Sequence, residues 1–146
     1  MTLSLYLDTS ALAKWFFVEL RSEDFVRFIT EAGRAIVTPL TRLELHCLAF
    51  RRLRSGEIDE AYAADISSTF EGLCARRTLV VHPIEGGDFV AAEELLLRFG
   101  GQVSLRTLDA LHLAAARRAG ARTFATADKA LASAAEAVGF DVARFD

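Results

Sequence analysis

Asp8, Glu44, Asp109 and Asp128 are the residues of this chain whose types and settings could do chemistry together. Asp8 closes the apolar run LSLYL, Glu44 lies in TRLEL just beyond AIVT, Asp109 sits in RTLDALHLA, and Asp128 follows TFATA. Each acid stands where an apolar, strand-like run hands over to a helix, or about one turn into that helix. Gathered at one sheet edge, two carboxylates ~6 Å apart repel by roughly 3 kcal/mol at an effective dielectric of about 20. Six such pairs would cost on the order of 15 kcal/mol, which protonation or bound cations must relieve. A set of oxygen donors with no Cys/His cluster beside it suits a hard cation, Mg²⁺ or Mn²⁺, and hence phosphate chemistry.

Each acid also has a purely structural reading. Asp8 can make an Asx-type turn that prepares the following helix. Thr41-Arg42-Leu43-Glu44 has the pattern of a capping box, in which Glu44 only caps its own helix. Asp109 falls in the first turn after Thr107, where the helix dipole favours a carboxylate by ~0.3–1 kcal/mol. Asp128 reads as an N-cap. Against this, Leu108, Ala110, Leu111, Leu113 and Ala114 make the Asp109 helix apolar on nearly every side, which implies burial. A lone buried carboxylate is costly unless paired or metal-bound, and the same holds for Asp8. Asp8 and Asp109 therefore lead as metal ligands, Asp128 follows, and Glu44 carries the strongest structural alternative.

The elements that must position these acids follow from hydrophobic periodicity. Residues 3–7 read as a first strand, and residues 10–20 as an apolar helix. Ser22-Glu23-Asp24 opens a second helix that stops at Gly33. Residues 35–38 form the next strand, ended by Pro39, and Thr41 begins a helix that runs to Gly56. Another spans about Asp59 to Arg76. Residues 79–84 are rich in β-formers, residues 88–99 are helical, and Thr107 to Arg118 is a strong helix with Gly120 just past its end. Residues 123–126 make a short strand, Asp128 opens the last helix, and residues 140–145 form an edge strand. Strands alternating with helices predict an α/β fold, a three-layer sandwich with a central parallel sheet, in which ligands bind beyond the carboxyl ends of the strands.

Length and composition agree with one domain over residues 1–146, at 52% hydrophobic and 25% charged residues. The opening MTLSLYLDTS has no basic leader and no apolar run approaches a membrane span, so a cytoplasmic protein without signal peptide is expected. Cys47 and Cys74 read as reduced, buried small side chains. The net charge of −3 argues against a nucleic-acid binder until the four acids are set aside, which leaves an arginine-rich, slightly basic remainder. Lys14 is a candidate phosphate contact, and His112 reads as a hydrogen-bonded core histidine with no catalytic part. Trp15, Phe16, Phe17, Phe25, Phe28 and Phe50 exceed what one core needs, and predict an exposed apolar surface for a partner.

Taken in order, LYLDTSALAKWFF, TPLTRLEL, LRTLDALHLAAA and TFATADKAL resemble the PIN-domain nucleases, and within them the VapC-like toxins of toxin–antitoxin pairs. The resemblance covers essentially the whole chain. It places the family's acids on Asp8, Glu44, Asp109 and Asp128, a supporting hydroxyl on Thr126, and the polar residues after the first acid on Thr9 and Ser10. It implies an α/β/α sandwich, Mg²⁺ or Mn²⁺ as cofactor, RNA as substrate, endoribonuclease activity and inhibition by a cognate antitoxin. A homodimer is expected from the apolar load. A rival reading is a non-catalytic α/β interaction module whose acids are only caps. An aspartyl phosphatase is less favoured, because Ser10 stands where that chemistry wants a second acid.

Overall fold

The computed structural model describes residues 4–146; Leu3 of the expected first strand lies outside the described residues. The chain runs β1 (Leu5–Leu7), α1 (Thr9–Phe16), α2 (Ser22–Ala32), β2 (Ala35–Val37), α3 (Pro39–Arg54) and α4 (Glu60–Ala75). It continues through β3 (Leu79–Val81), α5 (Gly86–Phe99), α6 (Thr107–Arg118), β4 (Thr123–Thr126), α7 (Lys129–Val138) and β5 (Asp141–Arg144). The five strands form one parallel sheet in the order β3-β2-β1-β4-β5.

Strand periodicity sorts the side chains into two cores. Leu5, Leu7, Ala35, Val37 and Ala125 point to one face, where they pack with Phe25, Leu45 and Phe70 from the helices α2, α3 and α4. Tyr6, Ile36 and Phe124 point to the other, against Leu95, Leu113 and Leu131 of α5, α6 and α7. The first half of the chain therefore covers one face of the sheet and the second half covers the other. The change of side falls between β1 and β4, whose register pairs Leu7 with Ala125. A crevice opens beyond the strand ends at such a switch point.

Several boundaries differ from the sequence reading, and three of the differences have a clear physical cause. α1 stops at Phe16 because Phe17 takes an extended backbone and turns inward, 3% exposed, under the Arg52 guanidinium. α3 starts at Pro39 and not at Thr41, since Pro at the first helical position loses nothing by lacking an N–H. β3 ends at Val81, because His82 N–H makes the last ladder bond, 2.9 Å to Val37 O, and Pro83 has no donor to continue it. Among the described residues no helix is long and apolar enough to cross a membrane.

Candidate metal centre

Asp8 follows β1 directly and caps α1, with its Oδ1 accepting from Ala11 N–H at 2.8 Å. The Ser10 hydroxyl reaches both carboxylate oxygens, at 2.8 and 2.9 Å, and Thr126 Oγ1 donates to Oδ2 at 2.6 Å. The residue is 3% exposed. Burial pushes its carboxyl above the ordinary value, against the opposing pull of Thr126, Ala11 N–H, the charge on His112 and Ser10. Ser10 and Thr126 are themselves anchored, Ser10 accepting from Ala127 N–H at 2.8 Å and Thr126 from Asp128 N–H at 3.0 Å. The three supporting hydroxyls named from the sequence are thus all in contact with an acid, since Thr9 Oγ1 donates to Glu44 at 2.9 Å.

Asp128 is the N-cap of α7, as expected, accepting from Leu131 N–H at 3.0 Å. Capping uses Oδ1 and leaves Oδ2 to the cleft, where Arg106 donates to it at 3.1 Å. The same guanidinium donates to Asp109 Oδ2 at 3.1 Å. Asp109 is buried in the first turn of α6, one turn beyond Arg106. Arg106 therefore bridges two of the four acids and supplies the positive charge that their proximity demands.

For Glu44 the capping alternative fails. With α3 starting at Pro39, the N-terminal bond goes to Thr41, whose Oγ1 accepts from Thr38 N–H at 3.3 Å. Glu44 lies past that turn and caps nothing. Its Oε1 takes hydrogen bonds from Thr9 and, at 2.5 Å, from His112 Nε2. Burial pushes its carboxyl up, but the bond to His112, the charge on that ring and Thr9 together hold it below the usual carboxylate value.

The four acids line one cleft of about 450 Å³, together with Thr9, Ser10, Cys47, Arg51, Arg106 and His112. Among the described residues no three His, Cys, Asp or Glu side chains converge closely enough to hold a metal ion as they stand. The donors are nonetheless the oxygens a hard cation takes, and Arg106 already occupies Asp109 and Asp128 as a cation would. The chemistry of the set would fit a divalent ion held by Asp8, Asp109, Asp128 and Glu44.

Arg106, His112, Cys47 and Arg51 received no part in the site from sequence, although helical spacing carries the signal. Arg106 and His112 stand three residues either side of Asp109, while Cys47 and Arg51 stand three and seven beyond Glu44, on one helix face in each case. His112 is a buried core histidine as read, 2% exposed, yet it also reaches the cleft. The buried setting expected for the cysteines is wrong: Cys47 is exposed because its face of α3 looks into the cleft, and Cys74 is half-buried. Lys14 does not approach the acids; its ammonium bonds Leu20 O at 2.6 Å and closes the loop after α1.

The apolar excess is also distributed differently. Phe16, Phe17 and Phe25 are core residues, Trp15 and Phe28 pack against that core, and Phe50 alone of the six is exposed, at 49%. The uncovered apolar side chains are instead Val18 and Leu20, 99% and 78% exposed, with Leu43 on α3 and Phe89, Val90 and Leu97 on α5. Val18 borders a second groove of about 530 Å³ lined by Trp15, Phe16, Phe17, Val26 and Tyr62.

Solved structures share this architecture. The Mycobacterium tuberculosis toxin VapC20, which cleaves the sarcin–ricin loop, superposes with a TM-score of 0.71 at 19% identity, covering 94% of this chain and 96% of that one. VapBC from Salmonella typhimurium, in its DNA-bound form, gives a TM-score of 0.65 at 18% identity, covering 99% and 100%. FitAcB from Neisseria gonorrhoeae gives 0.66 at 17% identity, covering 97% and 96%. No curated protein matches the sequence. The PIN domain family model matches residues 5–137, nearly the whole described length, and the chain belongs to the PIN-domain family.

Proposed function

We propose that this protein is a metal-dependent endoribonuclease, the toxin of a toxin–antitoxin pair, acting in the cytoplasm. The observation that carries the reading is the convergence of Asp8, Glu44, Asp109 and Asp128 on one cleft, two of them already bridged by an arginine cation. Asp8 and Asp109 are assigned as direct ligands of Mg²⁺ or Mn²⁺. Asp128 and Glu44 complete the set, directly or through water. A bound ion of this kind lowers the pKa of a water and offsets charge on a phosphodiester oxygen. The chain's own part is to hold the carboxylates: Ser10, Thr126 and Ala11 N–H fix Asp8, Leu131 N–H fixes Asp128, and Thr9 and His112 fix Glu44. Arg106 and Arg51 line the same cleft and are the side chains that would meet RNA phosphates there.

The solved structures that share the fold include a toxin that cleaves the sarcin–ricin loop and complexes named for two proteins, which supports RNA as substrate and a cognate antitoxin as partner. The groove beside Val18 suits an amphipathic antitoxin helix, and the exposed apolar residues of α3 and α5 support a homodimer. The test is an Asp8→Asn variant, folded by circular dichroism, incubated with total RNA and Mg²⁺ or Mn²⁺. Loss of cleavage upholds the assignment; full cleavage removes Asp8 from the site. Under the rival reading, acids that serve only as caps leave thermal stability indifferent to Mn²⁺ in both wild type and Asp109→Asn.

A further inference from the structure

Tyr6, His112 and Glu44 form a line of hydrogen bonds from the middle of the sheet to the cleft. The Tyr6 hydroxyl, wholly buried on β1, lies 2.7 Å from His112 Nδ1, and His112 Nε2 lies 2.5 Å from Glu44 Oε1. Packing alone asks for neither polar group. A phenylalanine would keep the stack of Tyr6 on Phe124, at 5.3 Å between ring centres, and a leucine would suit the apolar surroundings of α6. A buried hydroxyl and a buried imidazole are costly unless paired, and here each pairs with the other and the chain ends at one carboxylate.

The directions of these bonds follow from what each atom can do. An ionised Glu44 only accepts, so the hydrogen lies on His112 Nε2 whether the ring carries one proton or two. The Tyr6 hydroxyl both donates and accepts, so it satisfies Nδ1 in either state. Thr9 Oγ1 adds a second donor to the same Oε1, at 2.9 Å. Among the described residues no hydrogen bond engages Oε2, and the Glu44 side chain is 28% exposed. One oxygen of Glu44 is thus held from two sides, while the other is left for whatever enters the cleft.

We propose that His112, backed by Tyr6, is a positioning residue that fixes the glutamate on α3 so that Oε2 faces the reacting centre. A glutamate past the first turn of a helix has several rotatable bonds, and fixing it beforehand removes a cost that would otherwise be met during reaction. The effect on rate rests on the ribonuclease reading above; the hydrogen-bond line itself does not.

Two measurements on the full chain separate the two. The first is a long-range ¹H–¹⁵N spectrum of the histidine rings without metal, with His112 assigned through His112→Gln. A proton on Nε2, and a changed ring-nitrogen pattern in Tyr6→Phe, are expected; a ring protonated on Nδ1 alone overturns the line. The second is steady-state cleavage, with Mn²⁺, of an oligoribonucleotide that the wild type cuts. His112→Leu should lower kcat about tenfold or more with KM within about twofold, and His112→Gln, which can still donate, should recover most of the loss. A folded His112→Leu with wild-type kcat, or a Gln variant no better than Leu, overturns the positioning role. Should His112→Leu not fold, Tyr6→Phe decides: kcat reduced at unchanged KM upholds the role, and unchanged kcat overturns it. If the wild type cuts no RNA, the ribonuclease reading fails while the ring spectrum still judges the hydrogen-bond line.

Discussion

Thr126 and Asp8, 118 positions apart in the chain, share a 2.6 Å hydrogen bond across the point where the sheet changes side. The bond delivers a donor to a carboxylate that is almost fully buried, so its loss is felt twice, in stability and in the setting of the acid. Thr126→Val keeps the shape and removes the donor. It should lower stability by about 1–3 kcal/mol in urea unfolding, with Thr126→Ser recovering most of the difference. A valine variant as stable as wild type would show that Ser10 and Ala11 N–H suffice alone.

Arg106 stands where a cation is wanted, and it competes with any metal for Asp109 and Asp128. Its side chain is 73% exposed, and ion pairs of that kind are each worth roughly 0–1 kcal/mol. Arg106→Met should therefore raise Mn²⁺ affinity by about two- to tenfold in calorimetric titration, while lowering the melting temperature of the metal-free protein. Weaker Mn²⁺ binding in this variant would mean that the guanidinium organises the acids for the ion and does not oppose it.

Cys47 gives the cleft a chemical handle. It is exposed beside Glu44, whereas Cys74 is half-buried and its thiol is pushed up, by burial first and then by Glu71. Thiolate reactivity follows exposure and ionisation, so iodoacetamide should label Cys47 first. The added group projects into the cleft, and RNA cleavage should fall in step with labelling measured by mass spectrometry. Full activity at complete labelling would place the substrate path elsewhere.

Away from the cleft, Asp88 and Arg118 lock α5 to α6. Arg118 donates to both carboxylate oxygens, at 2.7 and 3.0 Å, and Asp88 is 1% exposed. The hydrogen bond from Arg118, opposed by burial and aided by Glu85 N–H, holds the Asp88 carboxyl below its ordinary value of 3.8. A depressed carboxyl stabilises the fold above its unfolded pKa, and that contribution fades as pH falls towards the folded one. Asp88→Asn should lower the melting temperature by several degrees at pH 7. The gap from wild type should narrow below about pH 4. A gap that stays constant down to pH 2 would mean that the charge on Asp88 contributes nothing.

The alternation of strands and helices was open to a reader of the sequence because it is written in local periodicity, as in Leu5, Tyr6 and Leu7, which alternate between the two cores. Asp8 and Asp128 were likewise visible, since each is fixed by its own strand end and its own helix start. The capping alternative for Glu44 looked stronger in the sequence than it is, because α3 starts at Pro39, two residues earlier than the capping-box pattern suggests. The parts of Arg106 and His112 depend on how α6 docks against α3 and α7, and no local pattern encodes that docking. Their spacing from Asp109 told only that they share its face.

The strand order also dictates when the cleft can be assembled. Asp8 is synthesised 118 positions before Thr126, the residue that closes β4 and bonds to it across the sheet. The crossover that covers the second face must be complete before β4 can slot beside β1. A nascent chain that has reached α5 already holds Asp8 and Glu44 but has neither Asp109 nor Asp128. A chain cut short before α6 therefore lacks two of the four acids of the cleft, and synthesis itself acts as a timer on its assembly.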